Sequence, residues 1–210
     1  MSVLPSVVLR RSSADLHRAL DQSAVMRQLM ADDLTPALYG YVLQRLYRAH
    51  AAVEQAHAAW ASQHSQADDW LSAQLFQRTH LISKDLHALA LAGVELEMGV
   101  DEPAASKLPP VPTRPQMLGM AYVVCGAMLG ARLIEARLAN TLGERFAGAR
   151  SFFRAGLSPH LPSWSFVRAR LDAELGVAHD LRQATLAARQ TFEQFRQCMV
   201  LQPAPEGACP

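Results

Sequence analysis

Apolar residues recur every three or four positions along most of the chain, which is the period of an amphipathic helix. The pattern is clearest after Thr35, where a capping threonine and Pro36 at the first helical position precede apolar residues that continue to Trp60. No segment alternates apolar and polar residues as a half-buried strand does. The sequence therefore predicts an all-α fold, a single helical bundle. The other expected helices are a first one capped by Ser12 or Ser13 and four more over residues 68–91, 117–142, 164–175 and 178–199.

One segment interrupts this pattern. Residues 99–115 contain five prolines and several small polar residues, which favour neither helix nor strand and predict a loop that crosses the surface. Neither flanking half contains enough apolar helix to close a core alone, so we expect one domain over residues 1–200. Residues 201–210 are rich in proline and small side chains and are predicted to form a disordered tail.

Composition narrows the class of protein. The chain has 20 basic and 19 acidic residues, without the strongly basic balance of a nucleic-acid-binding protein. The most apolar run ends at Arg132, short of the roughly 18 to 20 uncharged residues of a membrane span, and no signal peptide is recognisable at the N-terminus. Three cysteines without a CxxC pair are typical of a reducing compartment. We therefore expect a cytoplasmic protein with no nucleic-acid or membrane partner.

Three glycines interrupt the most apolar of the predicted helices, although each costs about 1 kcal/mol relative to alanine in a helix interior. They are Gly119, Gly126 and Gly130. Gly126 and Gly130 are four residues apart and lie on one side of the helix, where Ala127 and Ala131 widen the strip of small residues. Two interpretations follow. Another helix packs tightly on the strip, which the residues alone favour, or a flat ligand approaches the backbone there.

Histidines are the other candidates for chemistry. His50, His57 and His64 are spaced by sevens without a carboxylate pattern around them, so we interpret them as a solvated or partly buried face rather than a metal site. His17 is followed one helical turn later by Asp21. For a lone histidine the residues alone favour an ordinary packed or surface position over a ligand role.

Four segments, in order along the chain, point to one family. The first is LRRSSADLHRALDQSAVM, in which His17 precedes Met26 by nine residues, and a tyrosine-bearing helix with Glu54 follows it. The others are RTHLISKDLHALAL, YVVCGAMLGARLI and SFFRAGLSPHLPSWSFVRARLDA. Together they resemble the haem oxygenases, and the third is similar to the YVLEGSxLGGxxI segment of the bacterial enzymes. The resemblance implies the helical fold of that family.

The resemblance also assigns roles to the candidate residues. His17 matches the proximal histidine that binds the haem iron, the one metal ligand implied. Gly126 and Gly130 match the glycines of the distal helix, which keep the oxygen-binding face of the haem free of side chains. Ala127 on the same strip is expected to contact the haem.

Three arginines match basic positions that hold the haem propionates in the family. Arg10 stands seven residues before His17, and Arg168 and Arg170 belong to the predicted helix over residues 164–175. An arginine can grip a carboxylate through two parallel hydrogen bonds, which fixes orientation as well as affinity. The alternative for each is an ordinary solvated surface position.

In this family haem is both cofactor and substrate. The resemblance implies that oxygen and electrons from a ferredoxin or a reductase convert haem to biliverdin, carbon monoxide and free iron. The sequence leaves open whether the biliverdin serves as chromophore for a bacterial phytochrome or is a by-product of iron scavenging.

The chain departs from the family pattern at three positions. Cys125 replaces a glutamate, Ala127 replaces a serine or an aspartate that orders distal water, and Ala131 replaces the second glycine of the LGG pair. Without a water-ordering side chain, proton delivery weakens unless another residue such as Arg78 orders the water. Two alternatives therefore stand beside the oxygenase: a haem-binding protein of this fold that does not open the ring, and a helical interaction module without haem.

Overall fold

The computed structural model describes residues 3–64, 70–96 and 108–200. Regular structure in these ranges is helical throughout, without a strand, which confirms the predicted all-α class. The expected tail over residues 201–210 and most of the expected loop over 99–115 lie outside the described ranges. The helices are α1 (Pro5–Asp21), α2 (Ala24–Leu29), α3 (Pro36–Ala61), α4 (Ala73–Phe76), α5 (Thr79–Leu91), α6 (Arg114–Leu142), a 3-10 segment (Glu144–Ala149), α7 (Ser151–Ala155), α8 (Trp164–Glu174) and α9 (Ala178–Cys198).

Helix α1 begins two turns earlier than the sequence predicts. It starts at Pro5 rather than at Ser12 or Ser13, and Ser13 is a buried residue inside it. The carboxylate of Asp172 on α8 accepts hydrogen bonds from the backbone N–H and the hydroxyl of Ser6, at 2.7 and 3.0 Å. This cap comes from a residue distant in sequence, so a local capping pattern could not indicate it.

The helix predicted over residues 68–91 is two helices, α4 and α5, separated at Gln77 and Arg78; its expected start at Asp68 lies outside the described residues. The carboxylate of Glu54 on α3 accepts hydrogen bonds from the backbone N–H groups of Arg78 and Thr79, at 2.5 and 2.6 Å, and from the Thr79 hydroxyl at 2.7 Å. Glu54 thus stabilises a new helix start in the middle of the predicted one.

The first half of α6 is the central helix of the core. Residues 117–125 are all buried, and Gly119 lets α6 pack directly on the α9 backbone. A Cβ atom added at Gly119 would lie 2.0 Å from the Ala184 carbonyl oxygen. By length and composition α6 is also the one described helix that could span a membrane. Its first half packs inside the domain as a core helix does.

Candidate functional site

A cavity of about 940 Å³ lies between α1, the second half of α6, and the aromatic residues of α7 and α9. Cofactor sites typically measure about 300 to 1,000 Å³. Arg10 and His17 line it from α1, and Gly126, Ala127 and Gly130 line it from α6. Five of the seven residues that the sequence assigns to the site therefore share one cavity.

The glycine strip on α6 is open. A Cβ atom at Gly126 would contact only the Trp164 ring, at 3.8 Å, and one at Gly130 would contact only Ile134 of the same helix, at 3.9 Å. These are ordinary van der Waals distances, so no neighbouring helix requires either glycine. Tight helix packing, which the residues alone favoured, applies to Gly119 and is wrong for the other two.

Ala131 fits into the fold without a clash. The residue is 5% exposed. A Cβ atom added at Gly156 would lie 2.9 Å from the Ala131 methyl group, so the missing side chain of Gly156 makes room for that methyl group. The alanine that replaces a family glycine at position 131 is therefore accommodated by a glycine at position 156.

One ring nitrogen of His17 is engaged by a carboxylate, and the other remains available. Its Nδ1 lies 2.9 Å from a carboxylate oxygen of Asp21, and its ring meets the edge of Phe192 at a centroid distance of 5.4 Å. The carboxylate favours the tautomer in which Nδ1–H donates to Asp21, which leaves Nε2 with a free lone pair. The side chain is 59% exposed, so this nitrogen is accessible to a ligand.

The cavity wall has a basic group at its exposed edge and a buried phenolic group on α6. Arg10 is exposed on the rim, and Tyr122 lines the cavity one turn before Gly126. Burial raises the pKa of Tyr122, while its hydrogen bond with Ser13 and the nearby Arg10 charge act in the opposite direction. No sequence signal pointed to Tyr122, although its spacing of four residues from Gly126 places both on one face of α6.

The other two arginines do not line the cavity. Arg168 and Arg170 are exposed on α8. The Arg170 guanidinium lies 2.7 Å from the Glu174 carboxylate, which also pairs with Arg114 at 2.6 Å. Their role as propionate partners stays a prediction, with less support than that of Arg10.

His50 lies in the buried wall of the cavity, where the sequence did not predict it. It is 6% exposed, lines the cavity, and lies between the rings of Phe152 and Phe195, at 5.1 Å from each. Burial, and secondly the charge of Arg78, lowers its pKa to about 3, so the imidazole is neutral near pH 7. Its Nδ1 has no hydrogen-bond partner among the described residues. The expected solvated or partly buried face is therefore wrong at this position.

Arg78 is the second buried polar residue of the cavity wall. It is 5% exposed, and its Nη2 donates a hydrogen bond to the Phe152 carbonyl oxygen at 2.9 Å. Its Nε has no partner within the described chain, and burial lowers the pKa of the guanidinium. Because a buried cation is costly unless it is paired, the unpartnered Nε makes Arg78 a candidate for hydrogen-bonding a molecule in the cavity.

Three further residues, Cys125, His57 and His64, are packing residues and do not line the cavity. Cys125 is buried, is absent from the cavity wall, and has its pKa raised to about 12 by burial, which leaves the thiol unreactive. His57 stacks on Phe76 at a centroid distance of 4.3 Å, and its Nε2 donates a hydrogen bond to the Leu71 carbonyl oxygen. His64 stacks on Trp60.

Comparison with known proteins identifies the family. A family model described as haem oxygenase matches residues 5–200. Among solved structures the chain is similar to the haem oxygenase from Leptospira interrogans, with a TM-score of 0.70 and 17% sequence identity over 94% of this chain and 98% of that one. At that identity the likeness shows the fold, and no curated protein matches the sequence. Because the family model spans nearly the whole chain, the protein belongs to the haem oxygenase family.

Proposed function

We propose that this protein is a haem oxygenase that converts haem to biliverdin, carbon monoxide and free iron, with oxygen and with electrons from a ferredoxin or a reductase. The observation that supports this most is the pairing of His17 and the open glycine strip in one cavity. One side offers a nitrogen ligand for iron, and the other offers backbone without side chains.

The proximal residues would bind and orient the haem. His17 would donate Nε2 to the iron, and the Asp21 carboxylate on Nδ1 would fix the ring and strengthen the nitrogen as a donor. Arg10, exposed at the edge of the cavity, and Tyr122, buried in its wall, would bind propionate groups. When bound, haem itself supplies the oxygen-activating chemistry.

The distal residues would keep the reacting face open and supplied with protons. Gly126 and Gly130 leave space above the ring. Ala127 cannot order water, but two buried polar atoms of the described cavity wall have no hydrogen-bond partner, the Nε of Arg78 and the Nδ1 of His50, and these could do so. A positioned donor of this kind contributes typically about 10² to 10⁴ in rate. A bacterial phytochrome that takes up biliverdin is the proposed consumer of the product.

Titration with hemin tests this proposal first. We expect wild-type protein to give the Soret band of histidine-ligated haem, and His17→Ala to lose that ligation. His87→Ala is the matched control, because His87 is exposed on α5 and away from the cavity. An unchanged hemin spectrum in the wild type would favour an interaction module without haem.

Addition of ascorbate or a ferredoxin system under air tests the oxygenase itself. The Soret band should disappear while a red-absorbing biliverdin band grows, and catalase should have no effect. A Soret band that persists through repeated additions of reductant would refute ring opening. A persistent Soret band would instead favour a haem-binding protein that does not open the ring. Ala127 supports this second candidate, because it has no polar side chain to order distal water.

A further inference from the structure

One aromatic side chain of α8 reaches the glycine strip of α6. Trp164 is the first residue of α8, is half-buried, and is the one described residue of that helix that lines the cavity. Cη2 and Cζ3, at the far edge of its indole ring, would lie 3.8 and 3.9 Å from a Cβ atom at Gly126. The ring centroid lies 5.7 Å from that of Tyr122, one turn earlier on α6. The indole therefore forms a wall beside the strip.

The two ends of the strip have different surroundings. At Gly126 the Trp164 ring is within van der Waals distance, whereas a Cβ atom at Gly130 would meet only Ile134 of the same helix among the described residues. A flat ligand that lies against the strip would therefore meet an aromatic wall at the Gly126 end and open space at the Gly130 end.

The fold holds this wall in place. The Ser163 hydroxyl accepts a hydrogen bond from the backbone N–H of Phe166, at 3.2 Å, and so caps α8 at the residue before Trp164. Val167 and Leu171 anchor the same helix in the core and have no exposed surface. Because a tryptophan side chain has only two torsions, a fixed backbone leaves the indole few positions.

Such a wall matters because haem can rotate in its site. With His17 as the proximal bond to the iron, the porphyrin could still turn about that bond. Arg10 is exposed, and an exposed ion pair with a propionate would favour one orientation over another by at most about fivefold. A misfit of one methylene-sized group in a rigid pocket discriminates by about 10- to 200-fold. Steric exclusion is therefore the stronger way to select one orientation.

We propose that Trp164 fixes the rotation of the haem about the iron–His17 bond and thereby selects the meso carbon at which the ring opens. The inference rests on the proposed haem site and names a residue that determines its product. The indole would exclude orientations that turn a bulkier edge of the porphyrin toward Gly126. The meso carbon that reacts would be the one that this exclusion leaves under the open part of the strip, near Gly130.

Shortening the side chain tests this assignment. Trp164→Ala removes the wall, and Trp164→Phe keeps an aromatic ring but lacks the outer edge of the indole, so failure of the first variant to fold leaves the second available. Phe166→Ala is the matched control, because Phe166 is an exposed aromatic residue of the same helix and does not line the cavity.

The readout is the proton NMR spectrum of the ferric haem complex with cyanide, which requires no turnover. The unpaired electron of the iron spreads the haem methyl resonances, so each orientation gives its own set. We expect one dominant set in the wild type and in Phe166→Ala. The ratio of the dominant to the second set should fall by about tenfold or more in Trp164→Ala, and by less in Trp164→Phe.

Product analysis completes the test. After reaction with ascorbate under air, the ratio of biliverdin isomers separated by chromatography should fall in parallel with the ratio of haem orientations. A residue that serves only the stability of α8 would change neither ratio.

The outcomes separate this assignment from the proposed function. Unchanged orientation ratios in both Trp164 variants would overturn the assignment, and so would an equal change in Phe166→Ala or several comparably populated orientations in the wild type. Redistributed orientations in a protein that does not degrade haem would support the orienting wall and refute the oxygenase. Failure of the wild type to bind hemin would overturn both.

Discussion

His50 is a neutral imidazole in a wall of aromatic rings, and this protonation state links stability to pH. Its folded pKa of about 3 is below the unfolded value of 6.5, so the unfolded state binds a proton that the folded state excludes. The contribution of His50 is therefore complete above about pH 6.5 and is lost as the pH falls toward 3.

Replacement of His50 by phenylalanine should flatten this dependence. We expect the free energy of unfolding of the wild type to fall by up to about 1.4 kcal/mol per pH unit across this window because of His50, and the variant to lack that slope. Denaturant titrations of the haem-free protein at several pH values measure it. Parallel slopes for the two proteins would contradict the buried neutral state.

The glycines of α6 give a second prediction, because two of them have opposite surroundings. Gly126→Ala should stabilise the haem-free protein by up to about 1 kcal/mol, since alanine favours helix and the added methyl group meets only the Trp164 ring. Gly119→Ala should destabilise it by about 1 to 3 kcal/mol, because its methyl group would overlap the Ala184 carbonyl.

Hemin titration completes that comparison. Gly126→Ala should weaken hemin affinity despite its higher stability, whereas Gly119→Ala should change affinity little once the protein is folded. Thermal or denaturant unfolding and Soret titration measure the two quantities separately. A loss of haem-free stability in Gly126→Ala would show that another element packs on the strip.

At the level of helices, local sequence patterns predicted most helices but not the helix starts that are capped by residues of other helices. The start of α3 at Pro36 follows from its own capping threonine and proline, and the structure has it there. The starts of α1 and α5 depend on Asp172 and Glu54, which belong to other helices. Such partners become neighbours only in the fold, so their effect on helix boundaries cannot be predicted from spacing.

Glu54→Ala tests the cap that separates α4 from α5. The change removes the acceptor of three hydrogen bonds, two of them from backbone N–H groups, and should destabilise the protein by about 1 to 3 kcal/mol. Gln55→Ala is the control, because Gln55 is the exposed neighbour on α3. Equal denaturant midpoints for the two variants would show that the cap contributes little.

At the scale of the whole molecule, the sequence predicts the site residues on α1 and α6 but not the buried residues that complete the cavity wall. His17, Gly126 and Gly130 carry local signals or match family motifs, and the fold brings all three to one cavity. His50 lacked such a signal, since a histidine at a seven-residue spacing looks like a surface residue. The sequence pointed to Arg78 only as one residue that could order distal water, and the predicted continuous helix over residues 68–91 gave no sign of its burial. Their burial depends on Phe152 of α7, about 75 to 100 residues later in the chain.

Helix α6 is buried over residues 117–125 and then presents Gly126 and Gly130 to the cavity, and this difference would affect the lifetime of the protein in the cell. Each of these two glycines costs the helix about 1 kcal/mol relative to alanine, and no described neighbour packs closely enough to require a glycine there. A ligand that binds only the folded chain adds stability in proportion to its occupancy. Copies that wait longest for haem would then be the first that proteases remove, so the cellular supply of haem would set the abundance of the enzyme that consumes it.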